Sequence, residues 1–154
     1  MANIYKIGDL LDILDHIEVC FEKYYKTVSN KSADNNAKLL SYYLGRHHRR
    51  FLSELSRQSA AKQQKIRDRK IRRKISIMPG DWLTLLSTPP RLITGKNLLE
   101  IAIAYNKTLA TVYKDLLSLK LRGDVMVLIR NLDEFEKHEA ESFKKMRSMN
   151  YFYK

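Results

Sequence analysis

Apolar positions recur at spacings of three and four over four long stretches of the chain, and nowhere do they alternate as in a half-buried strand. In the first stretch, 7–29, Leu10, Leu14, Ile17, Phe21, Tyr24 and Val28 make a seam along one helical face. Asp9 offers a cap there, and Asp12 and Asp15 suit the positive end of the helix dipole. The run 30–36 (NKSADNN) reads as a turn, with Ser32 or Asp34 as the next N-cap. A second helix is expected over 36–59 on Leu40, Leu44, His48, Phe51 and Leu55, antiparallel to the first because their connection is short. Third and fourth helices are expected over 97–121 and 125–149, with Gly123-Asp124 as stop and fresh cap. The seam of the fourth reads Val125, Leu128, Leu132, Phe135, Glu139, Ser142 and Met146.

The clean seam is lost over 60–95. Met78-Pro79-Gly80 interrupts this segment, and Asp81–Ser87 (DWLTLLS) predicts a short apolar helix that Thr88-Pro89-Pro90 ends. So long a segment does not suit a hairpin loop, and it reads as a crossover. The expected architecture is one all-α domain over 1–154, two antiparallel helical hairpins joined by a long crossover.

The stretch 98–117 (LLEIAIAYNKTLATVYKDLL) admits two readings. As one helix it places Leu99, Ala102, Asn106, Leu109, Val112 or Tyr113, and Leu116 on a single face. As a helix-turn-helix it turns at Asn106, caps at Thr108, and opens a DNA-recognition helix at Ala110-Thr111-Val112-Tyr113. An internal repeat favours the first. Leu10-Leu11-Asp12-Ile13 is echoed by Leu98-Leu99-Glu100-Ile101, and the same offset places Tyr25-Lys26 on Tyr113-Lys114 and Glu18 on Asn106. The first helix has no turn signal at its midpoint, so its echo is expected to be continuous too.

Composition changes this picture in three places. A length of 154 residues with only 5 Gly and 3 Pro suits one helical domain. The single cysteine, Cys20, excludes an intrachain disulfide framework and any multi-cysteine metal site, and its apolar surroundings predict a small buried hydrophobe. With no basic leader before an apolar run and no membrane-length apolar stretch, a cytoplasmic protein without a membrane partner is expected. The net charge of +12 is concentrated in 62–74, where Lys62, Lys65, Arg67, Arg69, Lys70, Arg72, Arg73 and Lys74 face only Asp68. Such a cluster reads either as a solvated connection or as a site for non-specific nucleic acid or another polyanion. The aromatic tail Tyr151-Phe152-Tyr153 is expected to pack over a bundle end.

The segments IEVCFEKYYK, AIAYNKTLATVYKDL and LDEFEKHEAESF, with the paired-hairpin pattern, resemble the ferritin-like superfamily, closest in style to rubrerythrin-type four-helix bundles. The resemblance implies a di-iron site with one Glu from each of two helices and a Glu-x-x-His pair from each of the others. Glu18 stands at the first helix's ligand position, whereas Asn106 replaces the third helix's Glu. His48 and His138 match the ligand histidines, but Gly45 and Phe135 stand three residues before them. One carboxylate and two imidazoles cannot balance two irons in a low-dielectric core, so no di-iron centre is expected.

Neighbours offer a register shift: Glu134, Glu136 and Glu139 flank His138, and His47 adjoins His48. A single Fe or Zn ion on Glu18, His48 and His138 is the weaker alternative to buried, mutually hydrogen-bonded polar groups. The resulting expectation is a non-catalytic bundle acting as a binding or structural protein, without a cofactor, and open to homo-oligomer formation. The alternatives are a helix-turn-helix DNA-binding protein using 98–117 with the basic arm 62–74, and a metal-binding rubrerythrin-like oxidase or peroxidase.

Overall fold

Helix α1 runs Ile7–Lys31 with Leu10, Leu11, Leu14, Glu18, Phe21, Tyr25 and Val28 buried along one side. The computed structural model describes residues 4–77 and 80–149, apart from the side chains of Asp81 and Leu85. The tail Tyr151-Phe152-Tyr153 and the Met78-Pro79 break lie outside the described residues. The described chain is all helical, with α2 at Asn35–Leu44, α3 at His47–Leu55, α4 at Ala60–Asp68, α5 at Asp81–Leu85, α6 at Gly95–Ser118 and α7 at Asp124–Ser148. A single 3-10 turn at Pro90–Leu92 precedes α6. No described helix is long and apolar enough to cross a membrane.

Asp34 fixes two helix starts at once. Its Oδ1 accepts from Asn36 N–H at 2.9 Å to cap α2, and its Oδ2 accepts from Gly95 N–H at 2.8 Å at the start of α6. Helix α6 packs along α7, α1 along α2, α2 touches α6, and α3 touches both α1 and α7. One continuous apolar core threads these contacts.

Helix α6 passes through Asn106 without a break, and Asn106 is buried. The turn that a helix-turn-helix needs there is absent, because the whole seam of α6 from Leu98 to Leu116 is occupied by packing against neighbouring helices.

The helix expected over 36–59 divides instead at Gly45-Arg46. Glycine is the residue least costly to release from a helix other than proline, and Arg46 N–H bonds back only three residues, to Tyr43 O at 3.3 Å. A β-carbon placed on Gly45 meets only the Ser41 and Tyr42 carbonyl oxygens, and no side chain packs against that position.

Two seams depart from the pattern in part, although Leu10, Leu14, Phe21 and Val28 of α1 and Val125, Leu128 and Leu132 of α7 are buried as it implies. In α7 the buried positions are Val125, Leu128, Ile129, Leu132, Asp133, Glu136 and Phe143. Phe135 and Glu139 are half-buried at its edge. In α1, Glu18 and Tyr25 are buried where the apolar pattern favours Ile17 and Tyr24. Cys20 is exposed, not buried, because it lies on the far side of α1 from that seam.

The crossover is fastened to α1. Ile66, Ile71 and Ile75 are buried, Ile7 N–H donates to Arg69 O at 2.9 Å, and Ile71 N–H donates to Tyr5 O at 2.7 Å. Gly8 of α1 lets the α4 backbone come close: a β-carbon there would lie 3.0 Å from both the Arg67 β-carbon and its carbonyl oxygen. Further along the crossover, α5 drives Trp82 into the core, where its ring meets Phe21 and Tyr105 and its Nε1 donates to Thr108 Oγ1 at 3.0 Å.

Candidate functional site

Asp15, Glu18 and Glu22 follow one another at spacings of three and four and therefore share one face of α1. Directly after the break at Gly45-Arg46, α3 opens with His47 and His48 and turns both rings toward that face. His47 Nδ1 donates to Glu18, and its Nε2 donates to Glu136 Oε1 of α7 at 2.6 Å. Both carboxylates are buried, with 3% of each side chain exposed. Asn106 completes the cluster from α6, its Nδ2 donating to Glu136 Oε2 at 2.7 Å and to Glu136 O at 2.9 Å. Four helices thus meet at one polar centre.

An ionised carboxylate only accepts hydrogen bonds, so a ring whose two nitrogens both face carboxylates is an imidazolium. Burial alone would lower the His47 pKa, but Glu18 and Glu136 outweigh it and hold the ring well above its usual 6.5. On the surrounding tyrosines burial acts in the opposite sense, disfavouring the charged form by raising the pKa. Burial, reinforced by the carboxylates, pushes the hydroxyls of Tyr25, Tyr105 and Tyr113 well above their ordinary range. Burial also raises Glu139, the acceptor for Tyr43 Oη at 3.3 Å.

Glu18, His47, Tyr105, Asn106 and Glu136 line a cavity of about 20 Å³, room for roughly one water-sized guest. The Tyr105 hydroxyl is buried beside it, close to the Glu18 carboxylate. Phe135 meets His47 with the rings tilted at 46° and their centroids 5.3 Å apart, and the Arg50 guanidinium lies over the same phenyl ring, 5.3 Å from its centroid.

The sequence candidates scatter relative to this centre. Glu18 and Asn106 are in it, and Gly45 and Phe135 border it. His48 is one position away and forms a separate pair of contacts, with Asp15 Oδ1 at 2.7 Å and with Glu22. His138 is exposed on α7 and reaches no part of the cluster, which corrects its expected place on the inner face. His47 and Glu136, which the sequence offers only as register-shift neighbours of His48 and His138, are the pair at the centre. Their signal was present in the adjacency of His47 to His48 and in the position of Glu136 seven residues before Phe143, in phase with the true α7 seam.

The donor set does not fit a di-iron centre. The chain offers two carboxylates and one imidazole where six ligands are required, and the imidazole ring itself stands between the carboxylates. Among the described residues no group of three or more His, Cys, Asp or Glu side chains is arranged to hold a metal ion. Comparison with family models, with curated proteins and with solved structures finds no match to the chain.

Proposed function

We propose that the chain is a non-catalytic four-helix bundle of ferritin-like arrangement, acting in the cytoplasm as a binding or structural protein. One observation carries the reading: His47 stands between buried Glu18 and Glu136 with both ring nitrogens engaged. In a di-iron protein the buried carboxylates of the bundle are balanced by metal cations. Here an imidazolium takes that electrostatic place, and Asn106, a neutral amide at the position equivalent to Glu18, keeps a third negative charge out of the core. An imidazolium so held has no free lone pair with which to ligate iron.

The helix contacts α1 with α2 and α6 with α7, joined through the 60–95 crossover, support the paired-hairpin arrangement. The internal repeat supports it as well, since Glu18 and Asn106 meet in the same cluster and Tyr25 and Tyr113 are both buried. Iron analysis of protein purified without chelator tests the proposal. No stoichiometric iron and no acceleration of Fe²⁺ oxidation over buffer are expected. Two irons per chain would overturn it.

A further inference from the structure

At the corner between α6 and α7, away from the buried cluster, the crossover and the N-terminal segment enclose an open cleft of about 1340 Å³. This exceeds the about 300–1,000 Å³ of a small-molecule pocket and suits an extended ligand. The crossover lines it with Lys65, Arg69, Lys70, Arg72 and Arg73. Lys6 adds a cation from the N-terminal side, and Lys120, whose φ of 54° turns the chain after α6, adds one from the opposite wall. The one acid among the lining residues is Asp68, whose Oδ1 accepts from Gln64 Nε2 at 2.9 Å.

Tyr5 lies in this cationic lining with 64% of its surface exposed. Its position is fixed by the backbone: Tyr5 O accepts from Ile71 N–H at 2.7 Å, and Lys6 bridges Lys70. Fastening the crossover to α1 also fixes the cationic side of the cleft, because Ile66, Ile71 and Ile75 anchor the segment that bears it.

We propose that this cleft binds single-stranded nucleic acid without strong sequence preference, the cations meeting successive phosphates and Tyr5 stacking on a base. Single-strand sites combine a positive groove that follows the backbone with an aromatic platform, and both are present here. A duplex is read by an element that projects into its groove, whereas these cations line a recess. A flat anionic bilayer cannot follow a recess either. The inference is independent of the buried cluster and of the non-catalytic reading.

The test is fluorescence anisotropy of the full chain with a labelled oligothymidylate of roughly 20 nucleotides, longer than the about 4–16 nucleotides a single-strand site covers. The same strand in duplex form and phosphatidylserine-containing vesicles serve as competitors. Tighter binding to the single strand is expected, with log affinity falling against log salt at a slope of about −5 if each of the seven lining cations meets one phosphate. Replacing Arg69, Arg72 and Arg73 together by Ala should flatten the slope by about 2. Tyr5→Ala should weaken binding by about fivefold or more while Tyr5→Phe retains it, which separates stacking from charge.

The variant Lys144→Ala with Lys145→Ala, exposed at the opposite end of α7, should leave binding unchanged. All these side chains are exposed, and circular dichroism checks that each variant folds. Equal or tighter binding to duplex or vesicles overturns the proposal, as does binding that the cleft variants leave unchanged. Absence of binding at low salt overturns it too, without bearing on the iron result.

Discussion

His47 Nε2 lies 2.6 Å from Glu136 Oε1, while its Nδ1 meets Glu18 from the opposite side, so one ring joins α1, α3 and α7. The neighbouring His48 repeats the device on α1 alone, between Asp15 and Glu22. Together the two rings fasten the short helix α3, which buries only Phe51 from its own length. The attachment of α3 therefore has an ionic part beside the packing of Phe51 and Leu55.

This makes stability depend on pH in a defined direction. For both rings burial works against the charge, but the carboxylates prevail and raise the folded pKa above the usual 6.5. The unfolded ring releases its proton near 6.5, so the stabilisation is complete below that pH and is lost as pH rises through the folded values. Chemical denaturation followed from pH 6 upward should show the midpoint falling. The variant His47→Gln with His48→Gln should lose most of that fall, and an unchanged pH profile in it would contradict the ionic attachment.

Removing one partner should cost more than removing charge on both sides. His47→Gln leaves Glu18 and Glu136 buried without a cation and should destabilise by about 3 kcal/mol, the scale for breaking a buried pair, since 18% of the His47 side chain remains exposed. Adding Glu18→Gln and Glu136→Gln to His47→Gln should restore part of the loss. Urea denaturation of the single and triple variants measures both, and a triple variant weaker than the single one would count against the account.

Gly8→Ala should also destabilise, by about 1–3 kcal/mol, because the added methyl meets backbone atoms of α4 that have no rotamer by which to move away. Thermal melts give the cost. Protease cleavage within 69–75 should rise in the variant, as the crossover is held to α1 at this contact.

Asp34 serves α2 and α6 through different oxygens, so Asp34→Ala should cost more than one lost cap, about 2 kcal/mol, whereas Asp34→Asn should retain one acceptor and about half the stability. Equal losses in the two variants would show that the acceptor retained by Asn supports neither helix start.

The helical periodicity was legible where seams carry no charge. The α6 seam, from Leu99 to Leu116, is buried as its spacing implies, and Asp34 and the short DWLTL helix are where turn and breaker residues place them. The centres of α1 and α7 were not. At the centre of each, the inward position carries a glutamate, and its immediate neighbour is Ile17 or Phe135. A pattern of hydrophobicity selects the apolar neighbour, since an isolated charge in a core is costly. Only the imidazolium from a third helix makes Glu18 and Glu136 admissible, and that pairing spans 118 residues of sequence from Glu18 to Glu136. The break at Gly45-Arg46 that brings His47 into place was hidden for a related reason: one glycine in a helical pattern is tolerated at a cost of about 1 kcal/mol and need not end the helix.

The charge on the His47 ring is read most directly by its ¹⁵N NMR spectrum, assigned by comparison with His47→Gln and recorded from pH 6 to 9. Two protonated ring nitrogens are expected at pH 7.5, with deprotonation only well above 6.5. A ring with one bare nitrogen at that pH, or one whose signals move on adding Fe²⁺ or Zn²⁺, would contradict the claim that an imidazolium occupies the centre of the bundle.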